Sequence, residues 1–159
     1  MTEQQQFTVV RRIGAVEVRR YASCVVADVE VHADFTRAGN IGFGPLVSYI
    51  SRNNIAMTAP VLVEPTPTES WIVSFVMPAG ASLEKLPVPA GSRVTLREEP
   101  EHVAAALRFS GFTSEEKVAS KERELREALA GDGLVVSGAL RIARFDPPWK
   151  PGFLRHKDR

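Results

Sequence analysis

The chain has 159 residues, 44% of them hydrophobic and 25% charged, the composition of one globular domain whose core needs neither disulfide nor metal staples. Twenty Lys and Arg against nineteen Asp and Glu leave a formal charge of +1, a balance that argues against a nucleic-acid partner. Cys24 is the single cysteine, which excludes an internal disulfide, an iron–sulfur cluster and any Cys-x-x-Cys motif. The stretch Met1–Gln6 has no leader-like apolar region, and the most apolar run, Trp71–Ala79, falls far short of the roughly 20 residues of a membrane span. A soluble, cytoplasmic protein with no membrane partner is expected.

From Thr8 to Val31 the chain alternates as half-buried strands do. Val16 and Val18 oppose Glu17 and Arg19, and Val25, Ala27, Val29 and Val31 oppose Val26, Asp28, Glu30 and His32, with two strands meeting near Tyr21-Ala22. Phe35, Ala38, Phe43, Leu46, Val47 and Ile50 then recur at helical spacing, but Gly39, Gly42, Gly44 and Pro45 interrupt them. The pattern predicts a helix broken or restarted near Gly44, with Pro45 in its first turn. Strands follow at Met57–Glu64 and Trp71–Met77 around the turn Pro65-Thr66-Pro67-Thr68. The Pro-rich stretch Leu86–Gly91 reads as an extended surface crossing between two halves.

Val94–Glu99 and His102–Phe109 alternate again, with Glu98-Glu99-Pro100-Glu101 read as a hairpin turn between them. Thr113, with Glu116 three residues on, predicts a capping box opening a helix that runs to about Ala130. Val118, Leu125 and Leu129 form its buried stripe, Glu122 and Arg126 pair at i,i+4, and Gly131-Asp132-Gly133 ends it. A last strand is expected at about Val135–Phe145, before a tail over residues 149–159 that packs on its own domain. A shift of 78 positions lays Val16, Val18, Arg19, Val25 and Ala27 on Val94, Leu96, Arg97, Val103 and Ala105. The expected architecture is α+β, a single domain over residues 1–159. It is a distorted open β-barrel with two helices, built from two pseudo-symmetric strand-strand-helix-strand-strand repeats at about 8–79 and 92–148. The natural ligand site lies between the halves or against a helix.

The run Ile55-Ala56-Met57-Thr58-Ala59-Pro60-Val61 resembles the turn and strand after the first helix of the SOUL haem-binding family. Further similar segments, in the same order, are Glu17–Tyr21, Trp71–Pro78, Phe109-Ser110-Gly111 and Ala143–Pro151, so the resemblance spans about Val16 to Arg155. It implies a distorted barrel of two repeats and the binding of haem or a related tetrapyrrole. Such a ligand needs an apolar slot and a cation or backbone amides for its propionates, an axial iron ligand being optional. Phe43, Leu46, Val47 and Ile50 on one helix, together with Met57, are the candidate walls, and Arg52 is the candidate propionate partner. The competing reading makes the apolar residues core and Arg52 surface.

Some family members carry a His directly before the tyrosine that matches Tyr21, whereas this chain has Arg20, so no axial ligand is assigned. His32 with Asp28 and Glu30 reads as a solvated edge, and no metal site is assigned. No Gly-x-Ser-x-Gly elbow, phosphate-binding loop or His-Glu-x-x-His helix is present, and Cys24 reads as a small hydrophobe, so no catalytic residue is assigned. The expected function is reversible, non-enzymatic haem or tetrapyrrole binding for transport or buffering. The alternative is a GyrI-like domain binding another hydrophobic small molecule, with hydrolysis possible only if a carboxylate such as Glu17 or Glu30 faces the barrel interior. A third reading has Trp149 and Phe153 of the tail anchor a protein partner.

Overall fold

The computed structural model describes residues 3–87, 89, 93–110, 114–136, 140–144 and 154–158. After a two-residue strand, β1 (Glu3–Gln4), Gly14 at φ +60° turns the N-terminal alternation back on itself. The result is a hairpin of β2 (Phe7–Ile13) and β3 (Val16–Tyr21), where sequence alone suggested one strand. Then come β4 (Cys24–Val31), α1 (Phe35–Arg52), β5 (Thr58–Pro65), β6 (Trp71–Val76), β7 (Thr95–Glu99), β8 (His102–Ser110), α2 (Glu115–Gly131), β9 (Arg141–Arg144) and β10 (Leu154–Asp158). The architecture is α+β. The strands lie in the order β2-β3-β8-β10-β9-β5-β6-β4-β7, antiparallel throughout, with β1 alone pairing parallel to β5. Among the described strands the order is open at β2 and β7 and forms no closed barrel.

The junction of the two halves differs from the sequence expectation. Val16 pairs with Leu107 and Tyr21 with His102; past Ala22-Ser23 the same register resumes, with Cys24 opposite Glu99 and Asp28 opposite Thr95. Residues 16–28 and 95–107 therefore run side by side as one bent two-stranded ribbon. Glu98–Glu101 is not a hairpin turn, because β7 pairs with β4 and β8 with β3 rather than with each other. Pro100, which has no N–H to give a ladder, sits at the bend. Exchanging β3, β4, β5 and β6 for β7, β8, β9 and β10 makes the order from β3 to β7 read the same backwards.

Helix α1 is continuous, against the expected break at Gly44. Asp34 caps it by accepting from the Arg37 N–H at 3.0 Å, and Ala38 and Leu46, on either side of Pro45, are both fully buried. Packing on β4 and β6 thus holds both arms of the helix in line and overrides the local signal of Pro45. Gly42 sets how close the helix lies, since a Cβ there would stand 2.6 Å from Val73 Cγ2 and 3.2 Å from Val31 Cγ2. Gly42→Ala gains about 1 kcal/mol of helix propensity but overpacks this contact by about 1–3 kcal/mol. A lower urea midpoint is the expected result, and an unchanged one would show that Val73 yields.

Helix α2 matches its expected stripe: Leu125 and Leu129 cover Val16, Ala105 and Leu107, and Val118 packs with Val63 and Ile142. Glu122 and Arg126 pair at 2.9 Å, and Asp132 ends the helix ahead of Gly133 at φ +76°. The N-cap is Ser114, whose hydroxyl accepts from the Lys117 N–H at 3.1 Å; Thr113, the expected cap, lies outside the described residues. The strand expected from Val135 shrinks to Arg141–Arg144, with Val135 exposed. The expected tail contains β10, which pairs with β8 on one side and β9 on the other. Trp149 and Phe153 lie outside the described residues.

Candidate functional site

Helix α1 carries most of the residues singled out from sequence. Leu46 and Ile50 are buried against the sheet, and Phe43, Val47 and Met57 are half-buried around the same cluster, the Phe43 ring set edge-on to Phe75 at 5.3 Å. The five apolar candidates are therefore brought together. Arg52 is exposed in the last turn and does not join them, since five residues past Val47 it is turned about 140° around the helix. It shares a flank instead with Tyr49, three residues earlier. Burial raises the Tyr49 pKa above its ordinary value, so the phenol stays protonated.

The face of the sheet that carries no helix is where sequence placed solvated charges, and it holds an ion-paired chain. Arg141 of β9 donates to Glu99 of β7 at 2.6 Å and to Glu64 of β5 at 3.0 Å. Arg97 donates to Asp28 of β4 at 2.8 Å, and Asp28 also accepts from the Ser74 hydroxyl at 2.5 Å. Burial works to raise the Glu99 pKa, but the hydrogen bond and charge of Arg141 outweigh it and hold the carboxyl below its ordinary range. Arg19, only 2% exposed, donates to Glu17 at 3.0 Å and to the Tyr21 hydroxyl at 2.9 Å, and lies over the Phe7 ring. Burial likewise opposes ionisation of Glu17, and Arg19 and Arg12 reverse it. The sequence signal was a charge at every second position of paired strands, which identifies a buried face only once the partner strand is known.

Two cavities lie near the start of the chain. An open groove of about 500 Å³ is bordered by Gln6, Phe7, Thr8, Arg20 and Glu101. A second cavity, of about 30 Å³, lies between Gln5, Cys24, Thr58 and Val76, room for about one water. The Thr58 hydroxyl and one Glu99 oxygen are buried without a hydrogen-bond partner. Burial, then the charge of Glu99, pushes the Cys24 thiol up to about 11, so Cys24 is a protonated, unreactive thiol at neutral pH. His32 is exposed, 3.7 Å from Glu30, and His102 stacks on Tyr21 at 5.3 Å. Among the described residues no group of three His, Cys, Asp or Glu side chains is placed to hold a metal, and no helix is long and apolar enough to cross a membrane.

The crystal structure of the EcmrR C-terminal domain is similar over 90% of this chain and 94% of that one, with a TM-score of 0.65 and 12% identity. The cryo-EM structure of an EcmrR–DNA complex matches with a TM-score of 0.66 and 12% identity over 90% of this chain, which spans 55% of the length of that one. At such identity these likenesses concern the fold alone. No curated protein sequence matches the chain. The SOUL haem-binding protein family matches residues 2–158, nearly the whole chain, in accord with the segments from Glu17 to Pro151 and with the α+β sheet carrying two helices. The chain belongs to the SOUL haem-binding protein family.

Proposed function

We propose that this protein binds haem or another tetrapyrrole reversibly and without turnover, in transport or buffering within the cytoplasm. The observation that carries the reading is the family match across residues 2–158, which supports tetrapyrrole binding in general. Part of what such a group needs is brought together: Phe43, Val47 and Met57 offer a half-buried apolar wall on Leu46 and Ile50, while Arg52, on another flank of the same helix, offers its cation only to a propionate that extends past the helix end. When bound, haem supplies an iron able to exchange electrons and small ligands. No strong axial ligand is assigned, since Tyr49 is held protonated and Met57 is a weak donor, and reversible binding follows from that. We further propose that residues 1–159 form one domain of two repeats arranged as an open barrel. The backward-reading strand order and the ribbon shared by the halves support this.

Titration with haemin, followed at the Soret band, tests the function. Saturation at one equivalent is expected, with affinity at least about tenfold weaker in an Arg52→Glu/Met57→Ala variant that keeps its circular dichroism, as expected when a charge-assisted pair becomes a repulsion. Gradual, unsaturable change matching an unrelated control protein would defeat the reading. A second reading, a GyrI-like domain for another hydrophobic small molecule, has for its support the groove of about 500 Å³, where Phe7 and Ala22 are the apolar part of a mostly polar border. For the hydrolytic version of that reading a general base works best poised near neutral pH; of its two candidate carboxylates, Glu17 is held below the ordinary range by Arg19 and Arg12, and Glu30 accepts from the Ser70 hydroxyl at 2.6 Å.

A further inference from the structure

The start of the chain separates the two cavities beside it: Gln5, Gln6 and Ala22 border the open groove and the small inner cavity alike. Backbone bonds fix this segment on both sides. Gln4 pairs parallel with Ala59 of β5, the Gln5 N–H donates to the Ala59 carbonyl at 2.7 Å, and the Gln6 carbonyl accepts from the Ala22 N–H at 3.3 Å. The side-chain amide of Gln5 reaches the Cys24 sulfur at 3.9 Å. Thr58, on the same inner cavity, is 2% exposed, and its hydroxyl has no hydrogen-bond partner among the described residues. A buried hydroxyl left dry is costly, and here a cavity of about 30 Å³ adjoins it.

We propose that the inner cavity is a binding site for one neutral, water-sized molecule that both donates and accepts hydrogen bonds, and that the Gln5 side chain covers it on the groove side. The size fits: the cavity measures about 30 Å³, and a water needs about 10–15 Å³ or more of such space. The chemistry fits as well. The Thr58 hydroxyl can give and accept a hydrogen bond, the Gln5 amide oxygen can accept one and the Cys24 thiol is a weak donor, which together are the two to four polar partners that a held water takes. Val76 and Met77 make part of the remaining border apolar, which disfavours an ion. Bound there, the molecule ties the N-terminal segment to the first residue of β5 through side chains, beside the backbone bond from Gln5 to Ala59. It exchanges with solvent by way of the groove when Gln5 swings aside, so the sheet itself need not open. The site does not depend on the tetrapyrrole reading, whose residues are those of α1 and Met57.

Thr58→Val replaces the hydroxyl by a methyl of the same shape, and the sign of its effect separates a filled site from an empty one. With the site filled, the variant loses the guest's hydrogen bonds and its urea midpoint falls; with the hydroxyl dry, the variant removes an unpartnered group and the midpoint rises. A fall is expected, and a rise or no change overturns the site. A crystal structure that shows ordered water is expected to place a peak within hydrogen-bond distance of the Thr58 hydroxyl, and a blank cavity there overturns the site as well. The cover is read at Cys24, the single cysteine, by iodoacetamide alkylation of the folded protein at one mildly alkaline pH. Gln5→Ala is expected to speed alkylation about two- to tenfold, the span to which loss of one ordinary hydrogen bond converts. Loss of the amide also withdraws a donor that favours the Cys24 thiolate, which alone would slow the reaction, so a gain in rate reports access. An unchanged or lower rate overturns the cover.

Discussion

Arg141→Met is expected to lower the free energy of unfolding by about 3–5 kcal/mol, the cost of stranding a buried partner of a broken ion pair. Arg141 is 16% exposed and bridges Glu99 of β7 to Glu64 of β5 from its own strand β9, so one side chain ties strands of both halves. Its loss leaves Glu99 without a hydrogen bond from a guanidinium, one carboxylate oxygen already lacking a hydrogen-bond partner and Arg97 standing 3.9 Å from the other. Methionine keeps most of the volume, so the loss reports charge rather than a cavity. Adding Glu99→Gln to Arg141→Met should recover a large part of it, because the uncompensated charge is gone.

The same pair sets a pH limb. The folded pKa of Glu99 lies below its ordinary value of 4.5, so its contribution is fully present above that pH and is lost as pH falls through the folded value. Wild type is expected to lose stability steadily below pH 4.5, and Arg141→Met to lose less over that range. Urea midpoints measured across the series check both statements. A single-variant loss under about 1 kcal/mol would show that water or Arg97, 3.9 Å away, compensates Glu99 in place of Arg141.

Ending the chain before Leu154 is expected to abolish a cooperative thermal transition, or at the least to lower Tm by about 10 °C or more, the scale of losing several kcal/mol from a domain of this size. The segment Leu154–Asp158 is an inner strand, with β8 on one side and β9 on the other. Without it the run β2-β3-β8 is separated from β9-β5-β6-β4-β7 along that line, and two rows of backbone N–H and C=O groups lose their partners. A truncated chain melting within about 2 °C of the full chain would contradict this placement.

Much of this fold is legible in the sequence because it is written in short-range patterns. The α2 stripe of Val118, Leu125 and Leu129, the Glu122–Arg126 pair and the helix stop at Asp132-Gly133 follow from spacings of three and four residues and from one cap. The strands β4, β5 and β6 follow from alternation or from apolar runs bounded by turns. What escaped depends on distant partners. Pro45 reads as a helix breaker until the sheet beneath Ala38 and Leu46 is known. Glu98–Glu101 reads as a turn until β4 is seen to continue the pairing begun by β3. The Pro-rich approach to β10 hid a strand whose partners among the described strands are β8 and β9, both beyond the reach of a local signal.

The candidate site shows the same division. Helical spacing collected Phe43, Leu46, Val47 and Ile50 correctly onto one cluster, yet Arg52, adjacent in sequence, faces another flank, because two residues beyond Ile50 the helix has turned through about 200°. The hydrogen bond that the Tyr49 hydroxyl donates to the Pro87 carbonyl, 38 residues away, is invisible to any local pattern.

The bent ribbon also bears on how the chain reaches this state. Val16 meets Leu107 and Asp28 meets Thr95, contacts that close loops of 67 to 91 residues before any reward is gained. Each half's long strand completes the other half's sheet, so the halves do not form independently and then dock. Assembly waits on a non-local encounter, and the contact order of such a topology places folding in the millisecond-to-second class rather than with fast helical bundles.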